Sequence, residues 1–371
     1  MTRSGQAVRW LIGLAFAALA VACNTGPVRP DNAVDPRVYA VCQDPEGSAA
    51  WARAQKALAA HDDVGALPEL RSCAERCPDL VRAHLAYQDA ARRLGGEAQR
   101  AMQDFYLQAS ERKSPLPAYL KARLADTSYT QSNALDAILA RDPSFAWAHL
   151  SRARVNRRQG RLLQAVDMFA AAIVNDGTLH EARLERAQVL AELGRDDEAA
   201  LDYRAYLKAL PADEAAARAY LTLLLYRLNR IDEAFALLTQ LEGQGDRSLS
   251  LRMDRAALLW RARRPREAVD AYLGILAQAP DMARAALNIG LLYYEVLPQN
   301  DAERRLMWPK ARAAFRWFLQ KSVPSDGHEQ FERTLAVPYR LELIADLIGP
   351  DAASPGTERP VVLDDLRLPP G

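Results

Sequence analysis

The chain is short of the residues that chemistry and cross-linking draw on. Four cysteines and five histidines in 371 residues are too few for a disulfide-framed fold or a histidine-rich metal site. Aromatic residues are 7% of the sequence, and no alternating apolar–polar run recurs, which argues against strands as the building unit. An excess of charge is lacking too. The 48 basic residues stand against 47 acidic ones, which argues against nucleic acid as a partner, since phosphate binding requires a basic face. There is no Gly-x-Ser-x-Gly elbow, no phosphate-binding glycine loop and no dinucleotide fingerprint. His180-Glu181 and His328-Glu329 each lack the second histidine of a zinc-protease helix. Cys73, Cys77 and His84 have no defensible zinc spacing. The run Asp196-Asp197-Glu198 falls at a helix start, where acidic residues complement the dipole. Catalysis, a cofactor and a metal are therefore not expected.

What the sequence does have is a period of 34. Gly160 recurs as Gly194, Ala165 as Ala199, Phe169 as Tyr203 and Ala172 as Tyr206. After one inserted residue Ala199 becomes Ala234, and then Ala268. Tyr203, Leu238 and Tyr272 follow in step four places on. Such a period marks stacked copies of one unit that cannot bury its apolar face alone. Within Ala146–Gly177 a first helix ends near Gly160, and a second presents Ala165, Phe169, Ala172 and Ile173 on one stripe. Ala153, Ala187, Ala256 and Gly290 in first helices, and Ala165, Ala199, Ala234 and Ala268 in second helices, let the two approach closely. Pro143, Pro211 and Pro280 fall near unit ends. Half of the residues are hydrophobic, ample for a long helical core. The expected class is all-α.

These residues resemble the tetratricopeptide repeat. Ala283–Tyr293, with Asn288, Gly290 and Tyr293, is similar to its first helix; Gly160/Gly194, Ala165/Ala199, Phe169/Tyr203 and Pro211 are similar to its turn and second helix. The resemblance implies a right-handed α-solenoid. Clear copies begin near Ala146, His180, Ala215, Leu249 and Ala283, giving a clear-repeat region over 146–325. Weaker copies occupy 44–145, and one of them carries Gln131 at the small-residue position. In the last copy Leu297–Trp308 reads as a long turn whose Leu306-Met307-Trp308 either folds under the final helices or docks elsewhere. A capping helix is expected over 326–348, and a proline-rich, flexible tail over 349–371.

Residues 1–22 read as a secretory signal, with Arg3 and Arg9 before an apolar run from Trp10 to Ala22. Leu19-Ala20-Val21-Ala22-Cys23 resembles a bacterial lipobox, which implies acylation of Cys23; an ordinary secretory signal with an incidental cysteine is the alternative. Asn24, rather than aspartate, next to that cysteine implies the outer membrane, with the protein facing the periplasm. Residues 23–43, with Pro27, Pro30 and Pro36, read as a tether. In an oxidising compartment Cys42, just before a helix start at Asp44-Pro45-Glu46, is expected to pair with Cys77 at the end of the returning helix. Cys42–Cys73 is the rival pairing.

In the repeat it resembles, first helices line the concave face. That implies a groove holding Tyr226, Trp260 and Tyr294 as an aromatic column, with Leu223, Met253, Leu287 and Leu291 between and Arg227 and Arg261 beside it. Trp147, with Arg154 and Arg157 facing Glu181, Glu185 and Glu192, belongs to the amino-terminal part. The expected partner is a protein of the cell envelope. The functional classes left open are a scaffold for assembly of a pilus, secretin or outer-membrane complex, a permanent subunit of a motility or secretion machine, and an adaptor or ligand binder.

Overall fold

The computed structural model describes residues 41–108, 114–322, 327–348 and 362–367. The signal segment, Cys23 and most of the tether lie outside the described residues. All regular structure among the described residues is helical. The chain forms two compact units, divided between Leu210 and Pro211.

The first unit is five consecutive hairpins: α1 (Pro45–Ala59) with α2 (Asp63–Arg76), α3 (Val81–Leu94) with α4 (Gly96–Gln108), α5 (Leu116–Ala122) with α6 (Ser128–Arg141), α7 (Ala146–Arg158) with α8 (Leu162–Asn175), and α9 (His180–Glu192) with α10 (Asp196–Ala209). The second unit has three more. They are α11 (Glu214–Leu223, prolonged by a π turn Leu224–Leu228) with α12 (Ile231–Gly243), α13 (Leu249–Arg261) with α14 (Pro265–Gln278), and α15 (Ala283–Leu291, prolonged by a π turn Leu292–Val296) with α16 (Asp301–Lys321). A last helix, α17, runs through Gly327–Phe331, a π turn Glu332–Ala336 and Val337–Ile348. The class is the all-α hairpin stack that the period requires.

The period becomes packing in a direct way. Ala153, Ala187 and Ala256 of the first helices and Ala165, Ala199, Ala234 and Ala268 of the second are all fully buried, so helix backbones meet where the smallest side chains stand. Phe169, Tyr203, Leu238 and Tyr272 fill the space beside them. Between hairpins the same turn recurs: Asp142 Oδ1 accepts from the amide and hydroxyl of Ser144, and Asp176 Oδ1 from those of Thr178. The weak third copy has a seven-residue first helix; Gln131 at its small-residue position accepts from Arg158 Nη2 at 2.9 Å.

Within four successive hairpins, from α7–α8 to α13–α14, the chain turns through one left-handed residue. Gly160 (φ 72°) and Gly194 (φ 77°) do so without strain, and Asn229 (φ 52°) and Arg263 (φ 58°) occupy the equivalent place in the next two copies. Arg263 is exposed, so its side chain offers little to set against that strain. Arg263→Gly is therefore expected to stabilise the second unit by about 0.5–1 kcal/mol, read as a higher denaturation midpoint at unchanged slope.

Two expectations need correction. Leu297–Trp308 is not a long turn: α16 starts at Asp301, where Asn300 Oδ1 accepts from Glu303 N at 2.9 Å and Glu303 Oε2 accepts from Gln299 N at 2.7 Å. That reciprocal cap starts a helix early enough to carry Pro309 inside it. Met307 is buried, and Trp308 stacks on Tyr294 with ring centroids 4.9 Å apart, so this part of the patch folds under while Leu306 stays exposed. Nor is the tail wholly loose. Leu363–Leu366 forms a 3₁₀ turn, Leu366 is fully buried, and its carbonyl accepts from Tyr293 Oη at 2.9 Å. The buried tyrosine hydroxyl needs an acceptor, and that carbonyl supplies one.

Cys42 and Cys77 are joined by a disulfide, with Cα atoms 5.3 Å apart. Cys73 is a buried free thiol, pushed by burial up to about 11. Gly47, in the first turn of α1, lies against the sulfurs of the bridge.

Candidate functional site

In the second unit the first helices contribute most of the lining of one pocket. The π turn of α11 carries Tyr226; α13 contributes Met253, Asp254 and Ala257, and α15 contributes Arg284 and Asn288, with Met282 just before it. They line a pocket of about 730 Å³. A π turn adds one residue to its loop and turns the side chains after it about the axis. Tyr226 sits on that turn and stands 53% exposed, in place of joining the buried run Leu223, Leu224 and Leu225. Arg261, from the end of α13, lies over the Tyr226 ring, its Cζ 5.1 Å from the centroid, a cation–π contact. Burial raises the phenol of Tyr226, and nearby Asp254 raises it further. Burial likewise raises the Asp254 carboxyl, opposed by the charge of Arg218. Asn288 Nδ2 donates to Tyr272 Oη at 3.0 Å, tying α15 to the second helix behind the pocket. The surface thus offers a cation-capped ring, two half-buried methionines and a carboxyl whose ionisation a basic guest would favour.

The residues expected in the groove separate into two sets. Tyr226, Arg227 and Arg261 are exposed, and Met253, Trp260, Leu291 and Tyr294 are half-buried. Leu223 and Leu287 are buried, at 4% and 2% exposure, and so is Trp147 of the first unit, at 4%. These three are core residues. Position in the repeat tells which helix they ride on but not that each is turned out of solvent, an arrangement in which an apolar side chain gains most. Nor do Tyr226, Trp260 and Tyr294 form an open aromatic column. Trp260 packs against the core of its unit, and Tyr294 is covered by Trp308, whose indole donates to the Tyr294 carbonyl at 3.2 Å. Sequence reasoning missed Asp254 and Met282, although Asp254 stands next to Met253 on the same helix.

Solved structures similar in fold include tetratricopeptide-repeat proteins. YrrB, described as having an unusual peptide-binding site, is 17% identical over 55% of this chain and all of its own, with a TM-score of 0.41. A repeat protein from Parabacteroides merdae is 12% identical over 81% of this chain and 99% of its own, with a TM-score of 0.32. Yeast Tom70 is 14% identical over 81% of this chain and 59% of its own, with a TM-score of 0.36. No protein-family model matches the sequence, and no curated protein does.

In the first unit the charges beside Trp147 are paired. Arg154 holds Glu185 through Nε at 2.9 Å, Arg157 holds Glu192, and Arg82 reaches Glu181 at 3.3 Å. A second cavity, of about 600 Å³, lies beside His84 and Phe105. Both nitrogens of the His84 ring are engaged, Nδ1 with Tyr106 Oη at 2.9 Å and Nε2 with the Pro78 carbonyl at 3.1 Å, so the imidazole acts as an internal brace. Among the described residues no helix is long and apolar enough to cross a membrane, and no three His, Cys, Asp or Glu side chains are grouped to hold a metal.

Proposed function

We propose that the chain is a lipid-anchored, periplasm-facing scaffold that holds a protein partner and supports assembly of a cell-envelope complex. The docking surface is the first-helix face around Tyr226. The observation that carries this reading is Tyr226 itself: a large ring, half exposed, capped by a guanidinium and bordered by methionines. Aromatic and arginine side chains in such settings dominate binding energy at protein interfaces. A partner segment with one apolar and one basic side chain suits it, the basic group meeting Asp254. The anchoring half of the reading is supported by the lipobox-like Leu19–Cys23 and by the Cys42–Cys77 bridge, which belongs in an oxidising compartment.

The test is capture from solubilised membranes, followed by mass spectrometry, with the full chain and with Tyr226→Ala/Arg261→Ala. The double variant is expected to lose its principal partner about tenfold or more while melting like the parent. Cys23→Ala is expected to leave the membrane fraction. Equal capture by the double variant refutes the docking surface, and undiminished membrane association of Cys23→Ala refutes the anchor. Trp260 makes a poorer probe, because its substitution also disturbs the core it packs against.

A further inference from the structure

Arg92, Arg123 and Arg154 stand 31 residues apart on three successive hairpins of the first unit, and one more step of 31 reaches Glu185. That interval, three short of the repeat, sets side chains of adjacent first helices next to each other. Arg92 Nη2 donates to the Arg123 carbonyl, and Arg154 grips Glu185 with Nε and Nη2. The ladder is satisfied at the glutamate end only. At the other end Arg92 and Arg123 share one carboxylate: Asp89 Oδ1 lies 2.9 Å from Arg123 Nη2 and 3.6 Å from Arg92 Nη1. Arg123 is 14% exposed, and its Nη1 is buried with no hydrogen-bond acceptor in the protein. Arg158, one turn beyond Arg154, reaches the neutral amide of Gln131.

These four arginines edge a polar pocket of about 380 Å³ whose lining includes one carboxylate, Asp126. A buried guanidinium nitrogen without an acceptor is costly, as are neighbouring cations with too little negative charge between them. Burial, reinforced by the charge of Arg123, accordingly depresses the Arg92 guanidinium. Planar guanidinium groups match the paired oxygens of phosphoryl and carboxylate groups, and the volume suits a small molecule.

We propose that this pocket binds a small soluble oxyanion, a phosphoryl- or carboxylate-bearing molecule, through Arg92, Arg123 and Arg158. The site belongs to the first unit and differs in chemistry from the surface around Tyr226 on the second. Titration calorimetry of the full chain in detergent, at constant ionic strength, tests it with inorganic phosphate, with glutarate and with neutral glutaramide. Saturable binding of phosphate or of glutarate, without binding of glutaramide, is the expected result, and the anion that binds more tightly identifies the class. Arg123→Gln is expected to weaken binding about tenfold or more. Arg158→Gln, on the exposed rim, is expected to weaken it severalfold while the thermal melt stays that of the parent, which keeps the test decisive even if Arg123→Gln folds poorly. Absence of binding by both anions, or an affinity untouched in Arg158→Gln, overturns the proposal.

Discussion

Replacing Gly290 by alanine is expected to destabilise the second unit by roughly 2–3 kcal/mol, a fall of about 5–10 °C in its melting temperature. In an open helix the same change is favourable by up to about 1 kcal/mol, because glycine gives up more backbone freedom. Here the added Cβ stands 2.5 Å from both Cδ1 and Cε1 of Phe315. Phe315 is fully buried, so its ring has no room to move aside, and α15 and α16 must part instead. Gly274 of α14 provides the contrast. A Cβ there meets only Arg252 Nη2, at 3.7 Å, and Gly274→Ala is the matched substitution in which propensity alone acts. Calorimetric melting of the two variants distinguishes the effects by sign. A Gly290→Ala protein as stable as the parent removes the argument that small residues at this register set the approach of the helices.

Gly290 belongs to the part of the fold that the sequence makes legible. The offset of 34 names positions, and at crossing points size alone is decisive, so Ala165, Ala199, Ala234 and Ala268 read the same in one dimension as in three. The turns are almost as plain where glycine marks them, and less so where Asn229 and Arg263 take the same backbone. What the period cannot convey is the rotation of a helix about its axis. Leu287 shares a register with Met253, and Leu223 lies one turn before Tyr226, yet both leucines are buried, and the π turn that turns Tyr226 out has no composition of its own. The beginning of α16 is legible in principle, since Asn300 and Glu303 stand at the spacing of a helix-start pair, with Asn300 Oδ1 accepting from Glu303 N and Glu303 Oε2 from Gln299 N. The arginine ladder shows the converse. Its interval of 31 is visible in the sequence, yet only the fold shows that it joins neighbouring helices and leaves one end undercompensated.

Removal of the bridge by Cys42→Ala/Cys77→Ala is expected to weaken the first hairpin by about 3–4 kcal/mol, the chain-entropy value for a closed loop with a sequence separation of 35. The loss should be local. In a hairpin stack each copy draws stability from its neighbours, and α1 and α2 have a partner hairpin on one side only among the described residues of their unit. Cys73 reports on this directly. It is fully buried on α2, and with its thiol pushed up to about 11 about one molecule in a thousand carries a thiolate there at pH 8. Opening of the hairpin restores both access and an ordinary thiol acidity. Alkylation at Cys73, followed by mass mapping of its peptide, should therefore rise about a hundredfold or more in the double variant. The melt of the remaining hairpins should change little. A reductant acting on the parent protein should reproduce the same rate, since it breaks the same loop without altering Gly47, which lies against the two sulfurs. If Cys73 is modified no faster without the bridge, then apolar contact between α2 and α3 alone holds the terminal hairpin, and the disulfide contributes nothing to its stability.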